Sequence, residues 1–186
     1  MSLIIPQDEL LIMDYNRVIK TLNGMSSEEF KKAVSKSYDI APITNGERAP
    51  KHKHQITMLL DNKWHTLDLK KEKENRSSPL NHIDCQMLTD LILDPILGIK
   101  DLKKDQRIDF VGGIRGLNEV ERRCRLDCVA AFCMYPIEIQ EVIDVSNAGL
   151  IMPPKSTWFE PKPRSGFVVR CYNQNPSIKN NNQMSA

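Results

Sequence analysis

The chain has 186 residues, 40% of them hydrophobic and 27% charged, with a formal net charge of +2. That length suffices for one substantial core, and the composition is that of a globular protein and not a disordered one. Lys+Arg and Asp+Glu nearly balance, 26 against 24, which argues against nucleic acid as a partner; no apolar run approaches the ~20 residues of a membrane span.

Residues 10–19, LLIMDYNRVI, predict a short strand running into the polar group Asp14, Asn16 and Arg17. Ser26 with Glu29 three residues later is a capping-box signature, and a helix over 27–36 would bury Phe30 and Val34 at helical spacing. Residues 41–54 hold two prolines, a glycine and many charges, and are expected to be an exposed loop. Ile56–Leu60 and Trp64–Leu69 flank Asp61-Asn62-Lys63 in the pattern of a β-hairpin. The segment KKEKENRSSP then reads as a solvated linker.

From Ile83, Met87, Leu88, Leu91, Ile92 and Ile96 recur at helical spacing, predicting a core helix that closes near Pro95 to Gly98. Arg107 to Val111 is a predicted strand entering Gly112-Gly113-Ile114-Arg115-Gly116, and a charged helix, LNEVERRCR, follows. Val129 to Met134 is short and apolar, as a buried strand would be. Pro136 suits the first turn of a helix, and Gly149 the left-handed position after its C-terminus. Gly166 to Tyr172 is a last predicted strand, and the polar tail 173–186 is expected to be disordered. Helices and strands mix irregularly and no repeat is visible. The expected fold is therefore α+β (mixed α/β): a single domain over residues 8–172 with a mixed sheet and about four helices.

The five cysteines (Cys85, Cys124, Cys128, Cys133, Cys171) are odd in number and form no CxxC pair, which fits reduced thiols and a cytoplasmic location. The N-terminal MSLIIPQDELL lacks the basic and apolar regions of a signal peptide. No Cys or His spacing matches a zinc site, so no metal site is expected. His52 and His54 alternate with lysines and read as solvated, and the runs Lys51 to His54 and Lys70 to Lys73 as solvated faces.

Three segments carry residues suited to an anion. In the strand–glycine–helix at 107–125, Gly112 and Gly113 would let backbone N–H groups approach phosphate oxygens, and Arg115 would add a bidentate fork. The spacing matches neither the Walker sequence nor the dinucleotide fingerprint, and a tight turn requiring positive φ explains the glycines equally well. Asp14 to Arg17 places carboxylate, phenol, amide and guanidinium at a strand end, a favoured ligand position; a salt-bridged strand end has the same composition. In Ala148 to Val169, Pro153 and Pro154 stiffen a loop that presents Lys155, Ser156 and Thr157, then Glu160, Lys162 and Arg164, between the anchors Trp158 and Phe159. A surface loop whose aromatics plug the core would look the same.

MDYNRVIKTLNG at 13–24, DPILGIKDLKKDQRIDFVGGIRG at 94–116 and SNAGLIMPPKSTWFEPKPRSG at 146–166 together resemble the C-terminal half of the uncharacterised DUF family numbered ten-fifteen. PPKSTWFEPK is the most specific block. The family is distantly like ParB-related free serine kinases, and its full-length members carry an upstream Asp-Gly-His-His-Arg motif. The resemblance implies a phosphate-, nucleotide- or phospho-metabolite-binding half of a kinase-like protein, linked to serine metabolism, with ATP or ADP and Mg as cofactors. Asn16, Arg17, Gly112, Gly113, Arg115, Lys155, Ser156 and Thr157 would bind a small anionic metabolite, and Glu160 is the candidate general base. This chain lacks the Asp-Gly-His-His-Arg segment, so binding ranks ahead of autonomous catalysis; an enzyme here would be a small-molecule phosphotransferase. Ile137 stands where the family has a hydroxyl residue after Tyr-Pro, and a helix cap there should be weaker. The alternative is a non-enzymatic structural or regulatory module that docks onto the missing N-terminal half or forms a homo-oligomer.

Overall fold

The computed structural model describes residues 4–162 except Arg76, together with Gly166 and Val169. The rest of the last predicted strand, Arg164 and the tail lie outside the described residues.

Strands β1 (Leu11–Met13) and β8 (Trp158–Glu160) form an antiparallel two-stranded ribbon. Six more, β2 (Tyr15–Ile19), β3 (Tyr38–Pro42), β4 (Gln55–Leu60), β5 (Lys63–Leu69), β6 (Ile108–Gly112) and β7 (Ala130–Cys133), form a second sheet in the order β3-β5-β4-β7-β2-β6. Among the described residues the α-helices are α1 (Ser27–Val34), α2 (Asp84–Leu88), α3 (Gly116–Leu126) and α4 (Ile139–Asn147). The α+β fold read from the sequence is the one adopted. Where the sequence suggested a mixed sheet, every ladder among the described residues runs antiparallel.

The hairpin shows why. Asp61 and Asn62 both take left-handed φ, 50° and 58°, the requirement of a tight I′ turn whose twist matches the strands it joins. β4 is buried along its whole length because both faces of the sheet are covered. Alternation of side chains sends Val18, Leu59 and Ala131 to a small cluster with Val120 of α3, and Ile19, Leu60 and Phe132 to the main core. That core also takes Phe30 and Val34 of α1, Leu88 of α2 and Val145 of α4. Each such side chain contributes about 1.5–3 kcal/mol on burial.

Local signals account for the helix ends. Ser26 Oγ accepts the Glu29 N–H at 3.3 Å, and Glu29 Oε2 accepts the Ser26 N–H at 2.8 Å, so the capping box forms. Gly149, at φ 68°, donates to the Ser146 carbonyl, and Leu150 to that of Val145, both at 3.0 Å; this is a Schellman ending.

Four expectations are corrected. The opening strand breaks at Asp14, because β1 leaves to pair with β8 while β2 joins the sheet. The first residues of the 41–54 loop belong to β3, an edge strand where the missing N–H of Pro42 costs no ladder bond. Pro136 does not open α4, which starts at Ile139 with Glu138 as its N-cap. Ile137 is buried and plays no capping part, so its lack of a hydroxyl does not weaken the helix start. No helix among the described residues is long and apolar enough to cross a membrane.

Candidate anion-binding site

Strand alternation points Arg17 the same way as Ile19, into the main core, and the side chain is wholly buried. It sits between Phe110 on β6 and Phe132 on β7, its partners in register, with the guanidinium 5.6 Å from the centre of the Phe110 ring. Nη1 donates to the Tyr15 carbonyl at 2.5 Å. Among the described residues, the buried Nε and Nη2 meet no oxygen or nitrogen acceptor; the guanidinium's charged or sulfur neighbours are the Cys85 thiol and, at longer range, Asp14. The Cys85 thiol stands beside the guanidinium; burial pushes its pKa up, against the pull of Arg17. An uncompensated buried charge costs several kcal/mol, and a cation–π contact returns about 1–2 kcal/mol.

The loop after α4 lies over this part of the sheet. The Tyr15 and Trp158 rings are 5.6 Å apart, and Lys155 Nζ stands 5.4 Å from the centre of the Tyr15 ring. Lys155 takes a left-handed φ of 56°, is exposed, and lines a cleft of ≈ 420 Å³ with Pro154 and Phe110. Ser156 is buried, its Oγ donating to the Pro153 carbonyl at 2.5 Å; Thr157 beside it is half-buried. Tyr15 thus touches Lys155 through its ring and Arg17 through its carbonyl.

The glycine-rich turn serves packing contacts. A Cβ on Gly112 would stand 2.4 Å from Trp158 Cε3, and one on Gly113 would stand 2.5 Å from Asp14 Oδ1. Gly113 N–H donates to the Asp14 carbonyl at 2.9 Å. The close approach that these glycines permit is therefore used by an indole and by a carboxylate, and burial raises the pKa of that carboxylate despite the Asn16 hydrogen bond. Arg115 is exposed at the turn, where its charge acts on Glu119. Asn16 is buried on the face opposite Arg17, and its Oδ1 accepts the Met134 N–H at 3.0 Å, tying β2 to the end of β7. The Glu160 carboxylate accepts from Trp158 Nε1 at 2.6 Å and from the Lys162 N–H at 3.2 Å.

Sequence reasoning missed the residues on the far side of Cys85. His54, in the left-handed region at φ 68°, donates its N–H to both oxygens of the buried Asp84 at 3.1 Å, and its Nδ1 lies 2.9 Å from Oδ1. Lys53 Nζ is 2.5 Å from Glu141 Oε1. Lys53, Asp84, Cys85, Glu141 and Ser156 help enclose a cavity of ≈ 10 Å³, room for about one water. Outside it, Lys53 and Glu141 border an open groove of ≈ 550 Å³ with Ser77, Ser78, Pro79, His82 and Asp144. The KHKH run carried no sign of this, since its partners lie on elements distant in the chain.

Residues 1–86 match a family described as Protein of unknown function (DUF1015). No curated protein matches the chain. Among solved structures it is similar to a free serine kinase in complex with AMP, at 14% identity and TM-score 0.48, over 82% of this chain and 54% of that one. It is also similar to a free serine kinase variant in complex with ADP, at 12% and 0.48 over 82% and 54%. A third is a conserved hypothetical protein from Pyrococcus furiosus, at 13% and 0.47 over 82% and 56%. The chain spans about half the length of these structures.

Proposed function

We propose that this chain, a relative of the DUF1015 family through residues 1–86, is the phosphate- or phospho-metabolite-binding half of a kinase-like protein, with Arg17 as the seat of the anion. The observation that carries the reading is the buried guanidinium whose Nε and Nη2 meet no oxygen or nitrogen acceptor among the described residues. Lys155 and Ser156 stand in the same region, and phosphoryl chemistry depends chiefly on such positioning and charge stabilisation. Asn16, Gly112 and Gly113 support the seat through β2, β6 and Trp158. ATP or ADP with Mg is a candidate ligand alongside simpler phosphates. The free thiols of Cys85, Cys124, Cys128 and Cys133 accord with a cytoplasmic location.

Thermal denaturation with millimolar phosphate, ADP or ATP tests this. A ligand at one hundred times its Kd stabilises the native state by about 2.7 kcal/mol, so the wild-type Tm rises and Arg17→Met shows no rise. No shift of the wild type with any of the three overturns the reading.

A second reading, a docking module, is favoured by Ile143, Leu150 and Ile151, which are 40%, 39% and 87% exposed along α4 and the chain that follows it. Concentration-dependent association on a sizing column that Ile151→Glu abolishes would support it; a monomer at all concentrations counts against it.

A further inference from the structure

We infer that Lys53 is the second cation of the phosphate seat and that Glu141 closes it, occupying Lys53 until a phosphate monoester entering from the outer groove takes the carboxylate's place; this rests on the anion-binding reading of Arg17. Lys53 and Glu141 belong to the walls of both the small inner cavity and the groove. Their ion pair, at 2.5 Å, is therefore the partition between them. On its inner side stand Ser156 and Cys85, and beside Cys85 lies the buried guanidinium of Arg17 with Nε and Nη2 unmatched among the described residues.

The inner space holds about one water, so a phosphate group enters only when the partition opens. The pair is able to open. Lys53 lies on the turn before β4 and Glu141 on α4, and their side chains are 36% and 15% exposed. Lys53 rotates about several bonds, whereas Glu141 is held by the Glu138 N–H at its Oε2, so it is the Lys53 arm that swings. Asp84, on the same wall, does not compete for Lys53, because its oxygens already accept the His54 N–H and face His54 Nδ1.

Charge selects the ligand class. With the partition open, Lys53 faces the inner cavity, and Arg17 stands behind Cys85 on its wall. A carboxylate supplies a single negative charge, which Glu141 already offers; a phosphate monoester supplies close to two at neutral pH. The groove adds Ser77, Ser78, His82 and Asp144, with Pro79 as its one purely apolar residue. It suits a small body bearing hydroxyl or amino groups; among its described lining residues the one ring is His82, which offers a base less stacking area than a Trp or Tyr would.

The test is isothermal titration of wild type, Lys53→Gln, Glu141→Gln and Arg17→Met with inorganic phosphate, glycerol 3-phosphate and AMP. Gln at position 141 can still accept the Glu138 N–H that Glu141 now holds at 2.9 Å, so the start of α4 is kept. Glu141→Gln is expected to bind phosphate roughly tenfold tighter and Lys53→Gln roughly tenfold weaker, with glycerol 3-phosphate tighter than AMP. Phosphate binding that needs Arg17 but is unchanged in both Lys53→Gln and Glu141→Gln overturns the gate and leaves the seat. Binding unaffected by Arg17→Met overturns the seat and the gate together. AMP binding tighter than glycerol 3-phosphate overturns the ligand class.

Discussion

The indole of Trp158 lies on the bare Cα of Gly112, so close that a Cβ there would stand 2.4 Å from Cε3 and 2.7 Å from Cζ3. Gly112 also pairs with Tyr15, and the Tyr15 ring meets the same indole. One contact thus docks the β1–β8 ribbon and the Lys155 loop onto the main sheet. Gly112→Ala should cost about 1–3 kcal/mol by overpacking against a rigid ring. Urea denaturation checks the cost, and the fluorescence of Trp158 should shift as the ribbon is displaced. Wild-type stability with an unchanged emission spectrum would contradict the contact.

Arg17 should limit the stability of the unliganded protein. Replacing a buried ion pair by well-packed apolar residues is often neutral or stabilising by about 1–4 kcal/mol, and a buried charge with an incomplete set of partners should gain in the same direction. Arg17→Met is therefore expected to raise the denaturation midpoint in phosphate-free buffer while removing the response to phosphate. A variant less stable than wild type in the absence of phosphate would show that the charge is compensated after all.

Asp14 should make stability fall as pH rises. Burial raises its folded pKa above the ordinary 3.8, so between these two values the native state binds the extra proton and is favoured by acid. Above the folded pKa the penalty for holding a half-buried carboxylate is fully present. Asp14→Asn should therefore be more stable than wild type at pH 7, and the difference should shrink as pH falls through the folded pKa. Paired denaturation curves at several pH values measure it; a gap that widens in acid would refute the assignment.

The link between His54 and Asp84 should be costly to cut. Asp84→Ala leaves the His54 N–H and Nδ1 without their acceptor in a largely buried place, at about 1–3 kcal/mol for each unsatisfied group. Asp84→Asn keeps acceptor capacity and should lose less. Thermal denaturation of the two variants distinguishes them, and equal stability would show that water replaces the carboxylate.

Much of the secondary structure was legible because its signals are local. Ser26 and Glu29 lie within one helical turn of each other, Asp61 and Asn62 within one hairpin, and Gly149 one step past a helix end. β8 was hidden because three residues with prolines on both sides carry no periodicity, and they become a strand only when β1 supplies a partner. β3 was hidden for a similar reason: Pro42 speaks against a strand everywhere except at a sheet edge.

For the site, composition singled out Arg17, Lys155 and Ser156, since a rigid cationic loop and a charged strand end are unusual wherever they occur. Composition could not separate the glycine that meets a ligand from the glycine that meets Trp158, because both need the absence of a Cβ. It also passed over Lys53, which looked solvated among other lysines. By itself the sequence determined the α+β class, the helix ends and the hairpin, all of which rest on interactions between near neighbours in the chain. Only the tertiary structure decided that Arg17 is wholly buried with Nε and Nη2 unmatched among the described residues, and that Glu141 pairs with Lys53. Burial and pairing depend on which distant segments share a space, and no local pattern encodes that.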